Sequence, residues 1–576
     1  MFLWIGLALA LWLNYETWQK DYTPATAPVS ATQANKPAAL DAAIPQATVS
    51  AAVSAPLAAP AAGAVPAPPE AAPGAAAVTA AGAEAGNAAT AGGGRVHVIT
   101  DVLDLDLGLT GGELQRADLL NYPQVKGQSK PVRLFDRAAT DGFYALQSGL
   151  APVAAGATGA AFPTHLAQFT APAREYRLTP GTQELRVPLT WTDGQGVTVT
   201  KTFVFKPGQY RINLEYQIQN RSAAPFVAAS YAQILRDDIQ PESSMFSVQS
   251  YSYKGPAYYD GTKYTKLALK SEDNHKLSRD LSGGWIAGME HHFVSAVVPD
   301  PAKSYHYDIK VSGRQYLLSV LGPAQAVAAG ADASIDETLF VGPKLQAQLK
   351  QTGVELDRVT DYGTLTILSR PLFWLIEKVH GLFGNWGWAI LITTLLLKLA
   401  FYPLAEVAGK SMAKMRVLAP RMKALQETYK DDREKLGRAT MELYQKEKIN
   451  PLAGCLPMLI QMPVFLAFYW VLLESVEMRQ APFMGWIQDL SSRDPFFVLP
   501  VLNAIAMYGQ FKLNPPPPDP MQAKIFQFMP LVVSATFVFF PAGLVLYWVT
   551  STLLGILQQW NINRRIEALQ AKGKAG

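Results

Sequence analysis

The stretch WGWAILITTLLLKLAFY, Trp386 to Tyr402, decides how the rest of the chain is read, because it is apolar throughout except for one charge, Lys398. A run of this kind reads as a membrane span. An ammonium in hydrocarbon is costly enough that it marks a water-filled cavity or a functional pathway. Thr394 lies four residues earlier, which on a helix puts its hydroxyl on the same face as the lysine. The competing reading is snorkelling: Lys398 is five residues before Pro403, about 8 Å along a helix, and its flexible stem reaches the headgroups from there.

Working outward, uninterrupted apolar runs recur at Phe2 to Leu13, Cys455 to Leu473, Phe496 to Phe511, Ile525 to Phe540 and Gly543 to Trp560. Several fall short of the roughly 20 residues a bilayer needs, so flanking residues extend them or the bilayer thins around them. Pro541, Ala542 and Gly543 break the last two runs into a hairpin of two spans. Orientation follows from lysine and arginine. The loop from Leu404 to Pro451 holds eleven of them, whereas the loop from Glu474 to Pro495 holds only Arg479 and Arg493. The first loop is therefore cytoplasmic and the second external. The basic tail with Arg564, Arg565, Lys572 and Lys574 places the carboxy terminus inside as well. The first run lacks a basic amino-terminal region and a small-residue cleavage site, which favours an uncleaved signal anchor.

Composition agrees with a split molecule: 49% of residues are hydrophobic and only 17% charged, yet long polar stretches are present. A net charge of +4 and the lack of zinc-finger, basic-zipper or ribonucleoprotein signatures give no specific nucleic-acid partner. The single cysteine, Cys455, excludes an internal disulfide and reads as a small packed residue. From Thr23 to Gly94 the chain is Ala, Pro, Gly and Thr with almost no aromatics, the composition of a disordered tether. Beyond it the pattern changes to period two. Tyr210, Ile212, Leu214, Tyr216 and Ile218 alternate with polar residues, as a half-buried strand does, and short strands with turn signals continue to about Gly342. These strands form one external domain, mostly antiparallel and a large sandwich.

The external domain offers no nucleophile elbow, phosphate loop or metalloprotease motif, so no enzyme is read from it. Glu290, His291 and His292 invite a metal reading, but neighbours on a strand point to opposite faces. Asp101, Asp104 and Asp106 have the spacing of a strand's solvated face. In the cytoplasmic loop Met412, Met415, Met422, Leu425 and Tyr429 share one helical face, which fits two amphipathic helices broken near Lys430 to Asp432. That hairpin is either a solvated charged surface or a docking surface for ribosome, nascent chain or lipid headgroups. Leu372, Phe373, Leu375, Ile376, Val379 and Leu382 form a further amphipathic stretch, an interfacial helix on the outer side.

The expected architecture is a multi-domain membrane protein, an α-helical transmembrane core of five spans plus an amino-terminal signal-anchor span, with a large periplasmic all-β sandwich. Its parts are the anchor at 1–22, the linker at 23–94, the β-sandwich at 95–345, the interfacial helix at 365–383, the core at 384–563 and the basic tail at 564–576. Within the core the spans fall at about 384–404, 453–474, 496–512, 525–540 and 543–562, with the cytoplasmic hairpin at 405–450.

Seven motifs then carry a resemblance. They are LFVGPK (Leu339 to Lys344), GNWGWAI (Gly384 to Ile390), SMAKMR (Ser411 to Arg416), NPLAGCLPMLIQMPVFLAFY (Asn450 to Tyr469), VEMRQAPF (Val476 to Phe483), DPMQAKI (Asp519 to Ile525) and FPAGLVLYW (Phe540 to Trp548). In order and spacing the chain resembles the YidC family of membrane protein insertases in its Gram-negative form. The resemblance implies an insertase and folding chaperone of the inner membrane, acting on nascent inner-membrane proteins alone or with the Sec translocon and its accessory subunits, and needing no cofactor. It also implies a hydrophilic groove lined by a cation at the position of Lys398. The family commonly has arginine there; lysine keeps the charge but loses the bidentate fork.

The residues expected to line that groove are Lys398, Thr394 and Gln461, which would stabilise a polar, often acidic, client segment. Met462, Phe465, Phe537 and Phe540 are the expected slide for the apolar segment behind it, against ordinary helix packing as the alternative. Lys414, Arg416 and Arg421 are the expected contacts of the cytoplasmic hairpin, with the ribosome and the lipid bilayer as partners. The competing functional class is a transporter or channel using the intramembrane lysine. It lacks a second intramembrane charge or an inverted repeat.

Overall fold

In the computed structural model the described residues are 38–45, 94–139, 142–153, 162–238, 252–269, 276–429, 432–447, 456–513 and 520–574. The expected signal anchor, most of the expected linker and Cys455 lie outside them.

Between Arg95 and Pro343 the chain forms two sheets, one of ten strands and one of eight. Pairing is antiparallel apart from the parallel contact of Arg95–Ile99 with Glu175–Arg177. Inward parity builds the core: on Arg211–Asn220, Ile212, Leu214, Tyr216 and Ile218 are all buried, while their neighbours alternate outward. The same parity on Val197–Phe205 points a lysine inward. Lys201 is fully buried, and its Nζ donates to the carbonyls of Gly111, Gly112 and Ser148 at 2.8, 3.0 and 2.9 Å. Three acceptors match the three donors of an ammonium. Burial pushes Lys201 down to about 7 and Glu337 up to about 7, and the carboxylates of Glu337 and Glu113 pull the lysine back up.

The helical part follows as α1 (Gln346–Thr352), α2 (Thr366–Phe383), α3 (Trp386–Ala400), α4 (Tyr402–Thr428), α5 (Arg433–Lys446), α6 (Leu456–Glu474), α7 (Val498–Leu513), α8 (Pro520–Thr536) and α9 (Ala542–Lys574). Each boundary has a local cause. Gly384 ends α2 in the left-handed region at φ 66°, and the side chain of Asn385 accepts from the Trp388 amide to start α3. Pro403, at the start of α4, has no N–H to continue α3, and the two helices bend by 60°. Asp432 caps α5 through the Lys435 amide, and Asp494 accepts from the Leu499 amide ahead of α7.

Helix α3 ends at Ala400, so the helix does not run unbroken over 384–404, and the helix from Ala542 continues through the basic residues to Lys574. Among the described residues no single helix is long and apolar enough to cross a membrane; only the bent pair Trp386–Ala400 with Tyr402–Ser411 meets that test together.

Helix α2 is amphipathic as expected, but its apolar stripe faces protein. Leu372, Phe373, Ile376 and Val379 are buried in the helical cluster, while Trp374, Leu382 and Phe383 stay exposed.

The β domain and the helices interlock just beyond α6. Val476 packs into the β core while Met478 packs into the helical core. His291 Nε2 donates to the Leu473 carbonyl at 3.0 Å, Ser252 Oγ to Glu474 at 3.3 Å, and the Gln346 amide to Glu477 at 3.3 Å. A second clamp joins the turn after Pro123: Lys126 Nζ donates to the Gln480 carbonyl at 2.7 Å, and Arg479 Nη2 to the Pro123 carbonyl at 2.8 Å.

His291 and His292 correct the sequence expectation. They sit in the hairpin turn between Trp285–Met289 and Phe293–Val298, not on a strand, so their rings stack at 3.8 Å instead of pointing apart. Burial holds His291 down at about 4 and pushes His292 well below its ordinary value too. Burial also raises Glu477 to about 7 and lowers Lys344 to about 8. Asp104 and Asp106 fall on the outward face of their strand, as expected, and there they are held by Arg116 at 2.7 and 2.8 Å.

Candidate functional site: a lysine-lined cavity among the helices

Lys398 sits in the last turn of α3, three residues before Phe401, where the helix pair bends away. It lines a cavity of about 60 Å³ with Thr394, Phe401, Gln461, Tyr547, Ser551 and Gln558, among others. At about 10–15 Å³ per water centre, that is room for a few waters. The one hydrogen bond of its ammonium among the described residues runs to Gln461 Oε1 at 3.4 Å. Gln461 Nε2 in turn donates to Ser551 Oγ at 2.8 Å, so α3, α6 and α9 are linked by a polar chain inside an apolar bundle. An ammonium has three donors, and here two of them meet no protein partner among the described residues.

All three expected groove residues converge on this cavity. Thr394 contributes differently from the expectation, because its hydroxyl donates to the Ile390 carbonyl of its own helix at 2.7 Å. That back-bond satisfies the hydroxyl's donor within its own helix.

Sequence reasoning missed Tyr547, Ser551 and Gln558, which all line the cavity from α9. Their spacing of four and seven is a helical face and was available as a signal. It also missed Gln510 of α7, whose amide nitrogen lies 3.3 Å from the point where a Cβ on Gly555 would sit. No local pattern carries that information, since it depends on how α7 packs on α9.

The four expected slide residues are not brought together on one exposed surface. Met462 is 40% exposed, as is Leu466 one turn on. Phe465 instead packs edge-on against Trp548 at 4.5 Å, Phe537 lies 5.2 Å from Trp548, and Phe540 lies 5.7 Å from Phe537. Phe537 is buried. These phenylalanines form an aromatic cluster that fixes α6, α9 and the turn after α8. Of the expected hairpin contacts, Lys414 and Arg416 fall within α4, with side chains outside the described residues, and Arg421 pairs with Glu447 at 2.6 Å.

Comparison with known proteins identifies the family. The profile described as the 60Kd inner membrane protein matches residues 378–570, and that described as the YidC periplasmic domain matches residues 95–375. The chain is 46% identical over 488 residues to a membrane protein insertase YidC of Thioalkalivibrio sulfidiphilus, covering 83% of this chain and 86% of that one. It is 45% identical to the Methylococcus capsulatus protein of the same name, covering 84% and 87%. The β-rich region is thus a periplasmic domain on an inner-membrane protein, and the chain belongs to the YidC family of membrane protein insertases.

Proposed function

We propose that this chain inserts newly made inner-membrane proteins into the bilayer and helps them fold, with Lys398 as the residue on which insertion turns. The single observation carrying this reading is an ammonium with one long hydrogen bond, beside a small polar cavity, in a bundle that is otherwise apolar. A polar segment of a client entering the cavity meets the unused donors of Lys398 and the amide of Gln461 instead of hydrocarbon. Crossing is then limited by exchange of hydrogen bonds. The apolar segment behind it leaves sideways past exposed Met462 and Leu466, and its release is favourable because about 20 apolar residues enter lipid. No chemical step and no cofactor is assigned.

The expected topology belongs to the same proposal: a signal anchor at 1–22, five core spans, the hairpin of α4 and α5 in the cytoplasm with the carboxy terminus, and the linker at 23–94 as a tether. The hairpin's basic face, with Lys414, Arg416 and Arg421, would receive the ribosome or nascent chain, and the Sec translocon with its accessory subunits is the proposed neighbour in the membrane. The transporter alternative has no support from the relatives, which are named insertases.

Cells depleted of their own insertase, carrying this chain and a small two-span client, test the function. Protease protection of the client's translocated segment is the expected result. An unprotected client in the presence of well-accumulated full-length chain removes the proposal.

A further inference from the structure

Position 555 on α9 faces the lysine and bears no side chain. Along the cavity face of α9 run Tyr547, Ser551 and Gln558, and Gly555 is one turn after Ser551. Apart from its own helix, a Cβ built on Gly555 finds two heavy atoms within 4 Å among the described residues, the Gln510 amide nitrogen at 3.3 Å and Lys398 Nζ at 3.9 Å. Four helices therefore meet at this level: α3 through Lys398, α6 through Gln461, α7 through Gln510 and α9 through the glycine.

A glycine inside a helix costs about 1 kcal/mol relative to alanine, and in membranes it usually serves close packing of helices. Other glycines of this chain do that. A Cβ at Gly409 would strike the Ile562 side chain at 2.8 Å, and one at Gly543 would approach the Leu490 carbonyl at 3.0 Å. Gly555 differs, because what it faces is the far ends of two flexible polar side chains. The atom left out at 555 makes room beside an ammonium, not room for a neighbouring backbone.

We infer that Gly555 sets the capacity of the cavity at Lys398, and so acts as a size filter on the polar segment a client first inserts. Residues with small side chains and a hydrogen-bond acceptor, such as Asp, Ser, or Gly through its carbonyl, reach Lys398 across the open position; bulky polar or aromatic ones reach it only because no side chain projects from position 555, between Ser551 and Gln558. This rests on the proposed role of the cavity. A side chain at 555 takes up the remaining space and crowds the amide of Gln510.

The test uses the full chain in insertase-depleted cells with two clients of equal length and equal acidic content. One has a leading segment of Gly, Ser and Asp; the other substitutes Trp, Tyr and Gln at the Gly and Ser positions. Gly555→Leu is expected to lower protease-protected insertion of the bulky-led client at least about tenfold, the discrimination that a small change in pocket size achieves, and to leave the small-led client within about twofold. Gly555→Ala should lower the bulky-led client by a smaller factor in the same direction. Lys398→Ala, run alongside, is expected to lower both clients alike. Failure of that variant to affect either client removes the cavity reading itself. If Lys398→Ala does lower both while Gly555→Leu affects both equally or neither, the cavity stands and the size filter is overturned. Should Gly555→Leu not accumulate, Gly555→Ala decides: a loss independent of client size, or no loss, counts against the inference.

Discussion

Two lysines are withdrawn from water in this molecule, and the protein treats them in opposite ways. Lys201, in the β domain, gives all three of its donors to backbone carbonyls, lies within 6 Å of three aromatic rings, and has Glu337 and Glu113 near enough to pull on its charge. Lys398, among the helices, has one hydrogen bond among the described residues, of 3.4 Å, and an open cavity beside it. A buried charge whose partners are complete has been built into the structure. One whose partners are missing is waiting for something to supply them. On the proposed function, the difference separates a residue that holds the fold from the residue on which insertion turns.

That contrast can be broken most forcefully at Lys201. Lys201→Ala leaves three buried carbonyls without their donor and removes the positive charge that faces Glu337 and Glu113, so the β domain is expected to lose about 3–5 kcal/mol. Thermal unfolding of the full chain in detergent measures it, and a change below about 1 kcal/mol would mean the site relaxes and is not the keystone argued here. The folded fraction should still insert clients.

The next effect sharpens the other half. Gln461→Leu removes the acceptor of Lys398 and the donor to Ser551 together, and insertion is expected to fall about tenfold, consistent with a lost hydrogen bond to a charged group. Thr394→Val should stay within about twofold, because the hydroxyl is already satisfied by the Ile390 carbonyl. Insertion assays on both variants rank them; the reverse order would show that Thr394 and not Gln461 is the working partner.

A third prediction concerns the junction. His291 and His292 are held neutral where the β domain meets α6, so their folded values lie below the ordinary 6.5. The docked state then binds fewer protons than the undocked one. The histidine contribution to docking is complete above about pH 6.5 and is lost as pH falls toward 4, about 2 kcal/mol of it by pH 5 from His291 alone. Glu477 has the opposite sign: raised to about 7, it contributes below pH 4.5 and loses that contribution as pH rises through 7. Proteolytic nicking of the loop at 479–488 as a function of pH reads docking directly. His291→Gln with His292→Gln should flatten the acid limb only, and Glu477→Gln the other limb only. Smallest of all, Lys126→Ala removes one exposed clamp and is expected to cost about 0.5–1.5 kcal/mol of docking.

Much of this was legible before the structure. The alternation at Tyr210 to Ile218 gave the sandwich because a strand buried on one face has a period of two. Lys398 stood out because nothing near it in sequence explains a charge. Lys201 was equally legible and was passed over: Val197, Val199, Lys201, Phe203 and Phe205 share one parity, and the lysine is the odd member of an inward row. The stacked histidines were misread because the strand was carried two residues too far, through what is a turn. Phe537 and Phe540 could be placed on a helix end but not on a face, since packing against Trp548 is a long-range fact. Gln510 and Gly555 could not have been paired at all from sequence, because the four helices that meet at Lys398 come from segments spread over more than half of the core.

The most direct test puts purified Lys398→Ala beside the unaltered chain in proteoliposomes, scoring client insertion and thermal unfolding on the same preparations. The account predicts that insertion falls at least about tenfold, as expected when a desolvated charge contact is lost, while the unfolding temperature stays the same or rises, since an incompletely partnered charge has been removed from the bundle. Unchanged insertion would leave Lys398 as a snorkelling side chain. Insertion lost together with a large drop in unfolding temperature would place it with Lys201, as a residue of the fold.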